Sequence, residues 1–291
     1  MILKLFSPIY FIMIFLAIIL LVFFSIWLKN KSQKFTKIVI SIIFFSSFIM
    51  HFLKLVFPPY NTDPLAFRKV TAENICALST LTFPFIFLLA KSLVLKDYMF
   101  YFGVMSGVVA LLFPIEQLNN DFFRFETIRF YFAHIVLIIG PYLMVYTNHH
   151  QLNYRRIYKV PLVFFAVLGI IVVNEVILTE IGLVPLRGSD LFDPKGYRNF
   201  SMIFGVVPEL GFTEEFLRLL TPKVFLKIPF GEYAGRDKYW PLIWLVVPTY
   251  ILIPPLCFLL SWPWEKEHIK QDFKHLVNKI NNQIILFKEE K

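Results

Sequence analysis

Stretches of about 20 nearly uncharged residues, the length that crosses ~30 Å of hydrocarbon as a helix, recur seven times along this chain, at roughly 6–28, 37–57, 72–92, 98–115, 127–147, 160–183 and 241–261. A soluble domain has no use for such a repeat. The fold it predicts is all-α, a polytopic membrane helix bundle of about seven transmembrane helices. The first stretch is too long for the core of a signal peptide and lacks a small-residue cleavage site, so it reads as a retained helix. With 57% hydrophobic residues, 35 of them Phe, the 291 residues leave no room for a separate soluble domain. Two parts are expected. Residues 1–261 form the transmembrane domain, with a loop or lid at about 184–240, and residues 262–291 form a basic amphipathic tail.

The net charge of +9 is a matter of topology. Lys29, Lys31, Lys34 and Lys37 follow span one, Lys91 and Lys96 follow span three, and Arg155, Arg156 and Lys159 follow span five. These are alternate loops, which the positive-inside rule assigns to the cytoplasm, so the N-terminus is expected outside and the C-terminus in the cytoplasm. The natural partners of this charge are membrane phospholipids rather than nucleic acid. The loop at 184–240 carries turn signals at 187–190, Asp193-Pro194, Gly231 and Gly235, and a short amphipathic helix is expected from Thr213 to Leu220. From Trp262 onward, apolar residues recur at helical spacing (Ile269, Phe273, Leu276, Ile280) with lysines opposite, a pattern for the membrane surface.

Polar groups inside spans are costly, so the depth of each is informative. Under this topology Cys76 and His134 both fall in the outer half, one on span three and one on span five. His51, Asn174, Glu175 and Glu116 reach the same layer from spans two, six and four. The cytoplasmic halves offer almost nothing comparable, and a cavity open to the outside is the economical reading. Glu73, Cys76 and Thr80 are spaced for one helix face, as are Thr127, Tyr131 and His134. A thiol near a helix N-terminus gains from the positive end of the dipole, and an imidazole nearby takes its proton. Asn74 and Asn174 are candidate donors to an oxyanion or orienting groups for the imidazole.

Simpler readings cover most of the other polar residues. His51 and Lys54 suit snorkelling at the interface, Arg124 and Arg129 suit interfacial anchoring, and His149 and His150 suit a loop on the far side. Cys257 reads as helix packing in span seven. The His-Glu-x-x-His and Cys-x-x-Cys patterns are absent, as are the Gly-x-Ser-x-Gly elbow and the P-loop, so no metal and no cofactor is expected. An alternative to catalysis is a transporter or small-molecule binder using His51, Glu73, Glu116, His134 and Glu175 as a polar path. Pro84, Pro141 and Pro248 are then candidate helix breaks. A structural subunit held together by the same cluster is a third reading.

The segment Thr71-Ala72-Glu73-Asn74-Ile75-Cys76-Ala77-Leu78-Ser79, together with Arg129-Phe130-Tyr131-Phe132-Ala133-His134, resembles the YwaF family of bacterial integral membrane proteins. That family is grouped with transmembrane protein 164, a eukaryotic acyltransferase. Tyr239-Trp240-Pro241, leading into span seven, resembles the family's aromatic-proline motif, and Asn199-Phe200 is the nearest counterpart of its Asn-Tyr motif. The resemblance implies cysteine-dependent acyl transfer between glycerolipids, with Cys76 as nucleophile and His134 as base. Acyl lipids would then be its substrates and the bacterial inner membrane its location. Where relatives often place a His beside the cysteine, this chain has Glu73 and Asn74.

Overall fold

The structure, a computed structural model, describes residues 2–184, 201–206 and 212–289. Every regular element among them is helical. α1 (Pro8–Leu28) starts on a Ser7 cap followed by Pro8, whose missing N–H costs nothing at that position. α2 (Gln33–Phe52) starts on Ser32, and α4 (Leu93–Leu112) on Ser92. α3 (Ile75–Leu89) starts on Asn74, whose Oδ1 accepts from the Ala77 N–H at 2.7 Å. α5 (Phe125–Tyr146), α6 (Val160–Glu180), the short α7 (Phe212–Leu220) and α8 (Val246–Glu289) complete the bundle.

Six of these helices are long and apolar enough to cross a membrane. The remaining expected span, the third, is α3, which has only 15 residues, about 22 Å at 1.5 Å per residue. It is shorter than the sequence suggests because Asn74 caps it late and the chain is extended again from Ala90. α4 begins earlier than expected, at Leu93, and so takes Lys96 and Asp97 into the helix. The reason is a buried partnership of Asp97 described below. The seventh span and the tail form one continuous helix, α8, with Pro254, Pro255 and Pro263 inside it.

α5 is the central helix. Most of its length is buried, and α1, α2, α3 and α4 all pack on it. α4 meets it most closely, through two glycines one turn apart. A Cβ on Gly103 would stand 2.8 Å from the Leu137 carbonyl oxygen, and one on Gly107 would stand 2.8 Å from that of His134. This Gly-x-x-x-Gly spacing lets two backbones approach without side chains between them, a device suited to membrane helices. α1 contrasts with α5. Apart from Tyr10, Met13, Ala17 and Leu28 its side chains are not buried, and Ile12, Phe15, Ile19 and Phe23 are exposed as a lipid-facing helix requires.

Within the long loop, the motifs at 187–190, Asp193-Pro194 and Asn199-Phe200 lie outside the described residues. Gly231 and Gly235 do turn the chain, with φ of +88° and +84°. The expected amphipathic helix starts one residue early, at Phe212. Tyr239 and the fully buried Trp244 meet with ring centres 4.7 Å apart and planes tilted by 53°, and the Trp244 indole donates to the Met202 and Ile203 carbonyls, which ties residues 201–206 to the start of α8.

Candidate active site

Cys76 and His134 do fall in the same half of the bundle, Cys76 second in α3 and His134 tenth of the 22 residues of α5. α3, α5 and α6 place their N-terminal, N-terminal and C-terminal ends there, with the C-termini of α2 and α4. Cys76 is the second residue of α3, directly behind the Asn74 cap, half-buried at the positive end of the helix dipole. Its polar neighbour is the Ser106 hydroxyl of α4. His134 lies on α5, buried against the Phe130 ring at 4.2 Å. Its Nδ1 lies 2.7 Å from the Phe130 carbonyl oxygen. A carbonyl only accepts, so Nδ1 carries the proton, and Nε2 keeps its lone pair. Among the described residues no hydrogen bond joins the thiol to the ring. α4 stands beside both: Ser106 faces Cys76 while Gly107 rests on the His134 backbone.

The other expected site residues divide. Glu73 does not share a helix face with Cys76 and Thr80, because it precedes the cap. It faces away along the chain toward Lys54 Nζ at 3.8 Å and Lys69 Nζ at 3.5 Å. Thr80 is buried on α3. Asn174 donates its amide to Thr71 Oγ1 at 3.1 Å, joining α6 to the segment before α3. Tyr131 is buried with its ring against Phe122 and Phe130, its hydroxyl on the side of Tyr10 of α1. His51 is buried, and its Nε2 makes no hydrogen bond among the described residues. Asn74 acts as a cap, which gives a direct test. Asn74→Ala should cost about 1 kcal/mol of stability. Asn74→Asp, which caps equally well but has no amide to donate, should restore both the thermal midpoint and Cys76 reactivity. A reactivity that Asp fails to restore would make Asn74 a donor to substrate instead.

Two residues read from the sequence as surface anchors are part of this interior. Lys54 does not snorkel. It is 2% exposed and donates to the Lys69 carbonyl as well as facing Glu73. Arg129 does not reach for lipid headgroups either. Its guanidinium holds Glu126 through two bonds of 2.9 and 2.5 Å, and its charge acts on His51 and Lys54. Paired charges are what make burial of Lys54 and Arg129 tolerable, since either alone would carry a desolvation cost of several kcal/mol. Residues 53–74 make this possible: they fold as short 3-10 turns that lie across the end of the bundle. Phe57 stacks on Phe125 at 4.3 Å, and Tyr60 meets Glu126. Burial, and then the Glu126 charge, hold the Tyr60 phenol above its ordinary pKa.

The opposite end is not empty, as the sequence suggested. Asp97 of α4 is fully buried, 2.7 Å from His150 Nε2 and 2.6 Å from Arg156 Nε. His150 does lie in the loop after α5, but it is a buried partner there, and His149 bonds Thr36 Oγ1 at 2.8 Å. Arg155 and Tyr154 bind Asp272 of α8 nearby. Both cysteines are free thiols.

A family model for the TMEM164 family matches residues 5–206, which takes in α1 to α6 with Cys76 and His134. The chain belongs to the TMEM164 family. The expected family is thus correct, and an integral membrane protein of this family is what the helices describe. Neither the curated proteins nor the solved structures contain a match to this TMEM164-family chain. Among its described residues no group of three or more His, Cys, Asp or Glu is placed to hold a metal ion.

Proposed function

We propose that this TMEM164-family protein is a membrane-embedded lipid acyltransferase or esterase that uses Cys76 as nucleophile and His134 as base. The observation that carries the reading is the His134 ring. Its proton is fixed on Nδ1 by the Phe130 carbonyl, and Nε2 is left as an acceptor within the same half of the bundle as a thiol at a helix N-terminus. His134 Nε2 takes the thiol proton as Sγ attacks the acyl carbonyl carbon. The ester C–O bond then breaks, the leaving alcohol receives that proton from Nε2, and a Cys76 thioester remains. In the second half an acceptor hydroxyl, from a lysolipid or from water, gives its proton to Nε2, attacks the thioester and releases the thiol. The hydrogen bond between thiol and imidazole is one that forms with substrate in place, as is common for catalytic pairs. The positive-inside rule turns this end toward the outer leaflet of a bacterial inner membrane, where phospholipids supply the acyl group.

Buried charge at both ends of the bundle is what a transporter reading would use. Between the two ends, however, α5 buries Ile135, Val136, Leu137, Ile139 and Leu143, an apolar stretch with no polar step. Labelling with an acyl-type activity-based probe in detergent or native membranes tests the proposal. Cys76→Ala should lose the label completely. His134→Ala should slow labelling by about 10²–10⁴, the usual worth of a positioned base, with thermal midpoints unchanged. Equal labelling of wild type and both variants would sink the catalytic reading.

A further inference from the structure

We propose that an apolar groove between α3, α4 and α6 holds one acyl chain of the lipid whose ester meets Cys76; the inference rests on Cys76 as nucleophile and adds where the chain lies. The groove has a volume of about 430 Å³, within the usual range for ligand sites. Leu78, Ile86 and Leu89 line it from α3, Leu95 from α4, and Val167 and Ile170 from α6. Phe85, Leu89 and Ile170 are exposed, so one side faces the hydrocarbon.

Two groups mark one part of this groove as polar. Ser79 and Tyr98 both line it, each 2% exposed, with their hydroxyls buried behind its wall. They face one another, yet neither completes a hydrogen bond among the described residues. A buried hydroxyl without a partner is destabilising, and an ester carbonyl entering beside it supplies the missing acceptor. Ser79 is three residues after Cys76, so it stands one helical turn from the thiol on the same face. From there Ile86 and Ala90 continue along the groove to the far end of α3. An ester whose carbonyl carbon meets Cys76 and whose carbonyl oxygen turns to Ser79 and Tyr98 therefore has its tail among Ile86, Leu89 and Leu95. No charged side chain is among the described lining residues, so a headgroup has nothing to bind there. The occupant is an acyl chain that enters sideways from the bilayer.

The test is photolabelling of the full chain in liposomes with phosphatidylcholine bearing a diazirine near the end of one chain, with labelled peptides mapped. Labels should concentrate on the 86–95 and 163–170 segments over the lipid-facing side of α1. Ala166→Trp, at an exposed lining position, should cut groove labelling about tenfold while the thermal midpoint holds. Cys76→Ser should leave groove labelling unchanged, which separates this inference from the nucleophile. Groove labelling retained with no Cys76 reactivity overturns only the nucleophile. Reactivity without groove labelling overturns only the groove. Labelling equal to that of α1, or indifferent to Ala166→Trp, means ordinary surrounding lipid and overturns the inference. Labelling that comes only from a free diazirine fatty acid overturns the choice of an esterified chain.

Discussion

Gly107→Leu is expected to lower the thermal midpoint of the purified protein sharply and to abolish labelling at Cys76, whereas Gly169→Leu is expected to do neither. A Cβ at 107 meets the His134 carbonyl oxygen at 2.8 Å and Ile138 Cγ1 at 2.6 Å. The isoleucine can turn away, but the carbonyl belongs to the central helix and cannot. α4 must therefore move off α5, with a cost at or beyond the upper end of the about 1–3 kcal/mol typical of overpacking. The displacement falls where it matters most, because Ser106 of the same turn faces Cys76. Gly169 of α6 has nothing within 4 Å of its Cβ position, which makes it a control for adding bulk to a membrane helix. A Gly107→Leu protein with wild-type melting and labelling would show that α4 and α5 do not set the spacing of the pair. Gly107→Ala already places the Cβ against the carbonyl, so it should give an intermediate loss.

What the sequence made legible was what hydrocarbon enforces. Apolar runs of spanning length revealed the helices, and the alternation of chain direction brought Cys76 and His134 into one half of the bundle. The 3.6-residue period failed at Glu73, because Asn74 is a strong N-cap and starts the helix after it. The larger omissions share one cause. Lys54, Arg129, Asp97, His150 and Arg156 each look like interface residues when taken singly, since a lone charge does not enter a membrane interior. Their burial depends on partners that folding supplies. Asp97 and Arg156 are 59 residues apart, and Asp97 and His150 are 53 apart. No local pattern announces such pairs. Two signals were nevertheless present: the Gly103–Gly107 spacing, and the placement of Asp97 amid aromatic residues that continue the α4 helix.

Asp97→Asn is the second substitution with a large expected effect, and it concerns the end of the bundle away from Cys76. The carboxylate accepts from His150 Nε2 and, through both oxygens, from Arg156 at 2.6 and 3.0 Å. Arg156 also donates to the Gln151 carbonyl, so Asp97 fixes the connection from α5 to α6 on the start of α4. Removing its charge leaves the Arg156 guanidinium half-buried beside a neutral amide. Breaking a buried pair from one side costs about 3–5 kcal/mol, more than the intact pair contributes, because the other charge stays desolvated. The double variant Asp97→Asn/Arg156→Gln should therefore be more stable than Asp97→Asn alone, a coupling read from thermal midpoints of the four proteins in a cycle. Labelling at Cys76 per folded molecule should stay at the wild-type level throughout, since the Asp97 carboxylate bonds His150 and Arg156 and neither Cys76 nor His134 among the described residues. A folded Asp97→Asn protein that has lost its function would join both charged ends into one pathway, and the transporter reading would then replace the acyl-transfer one.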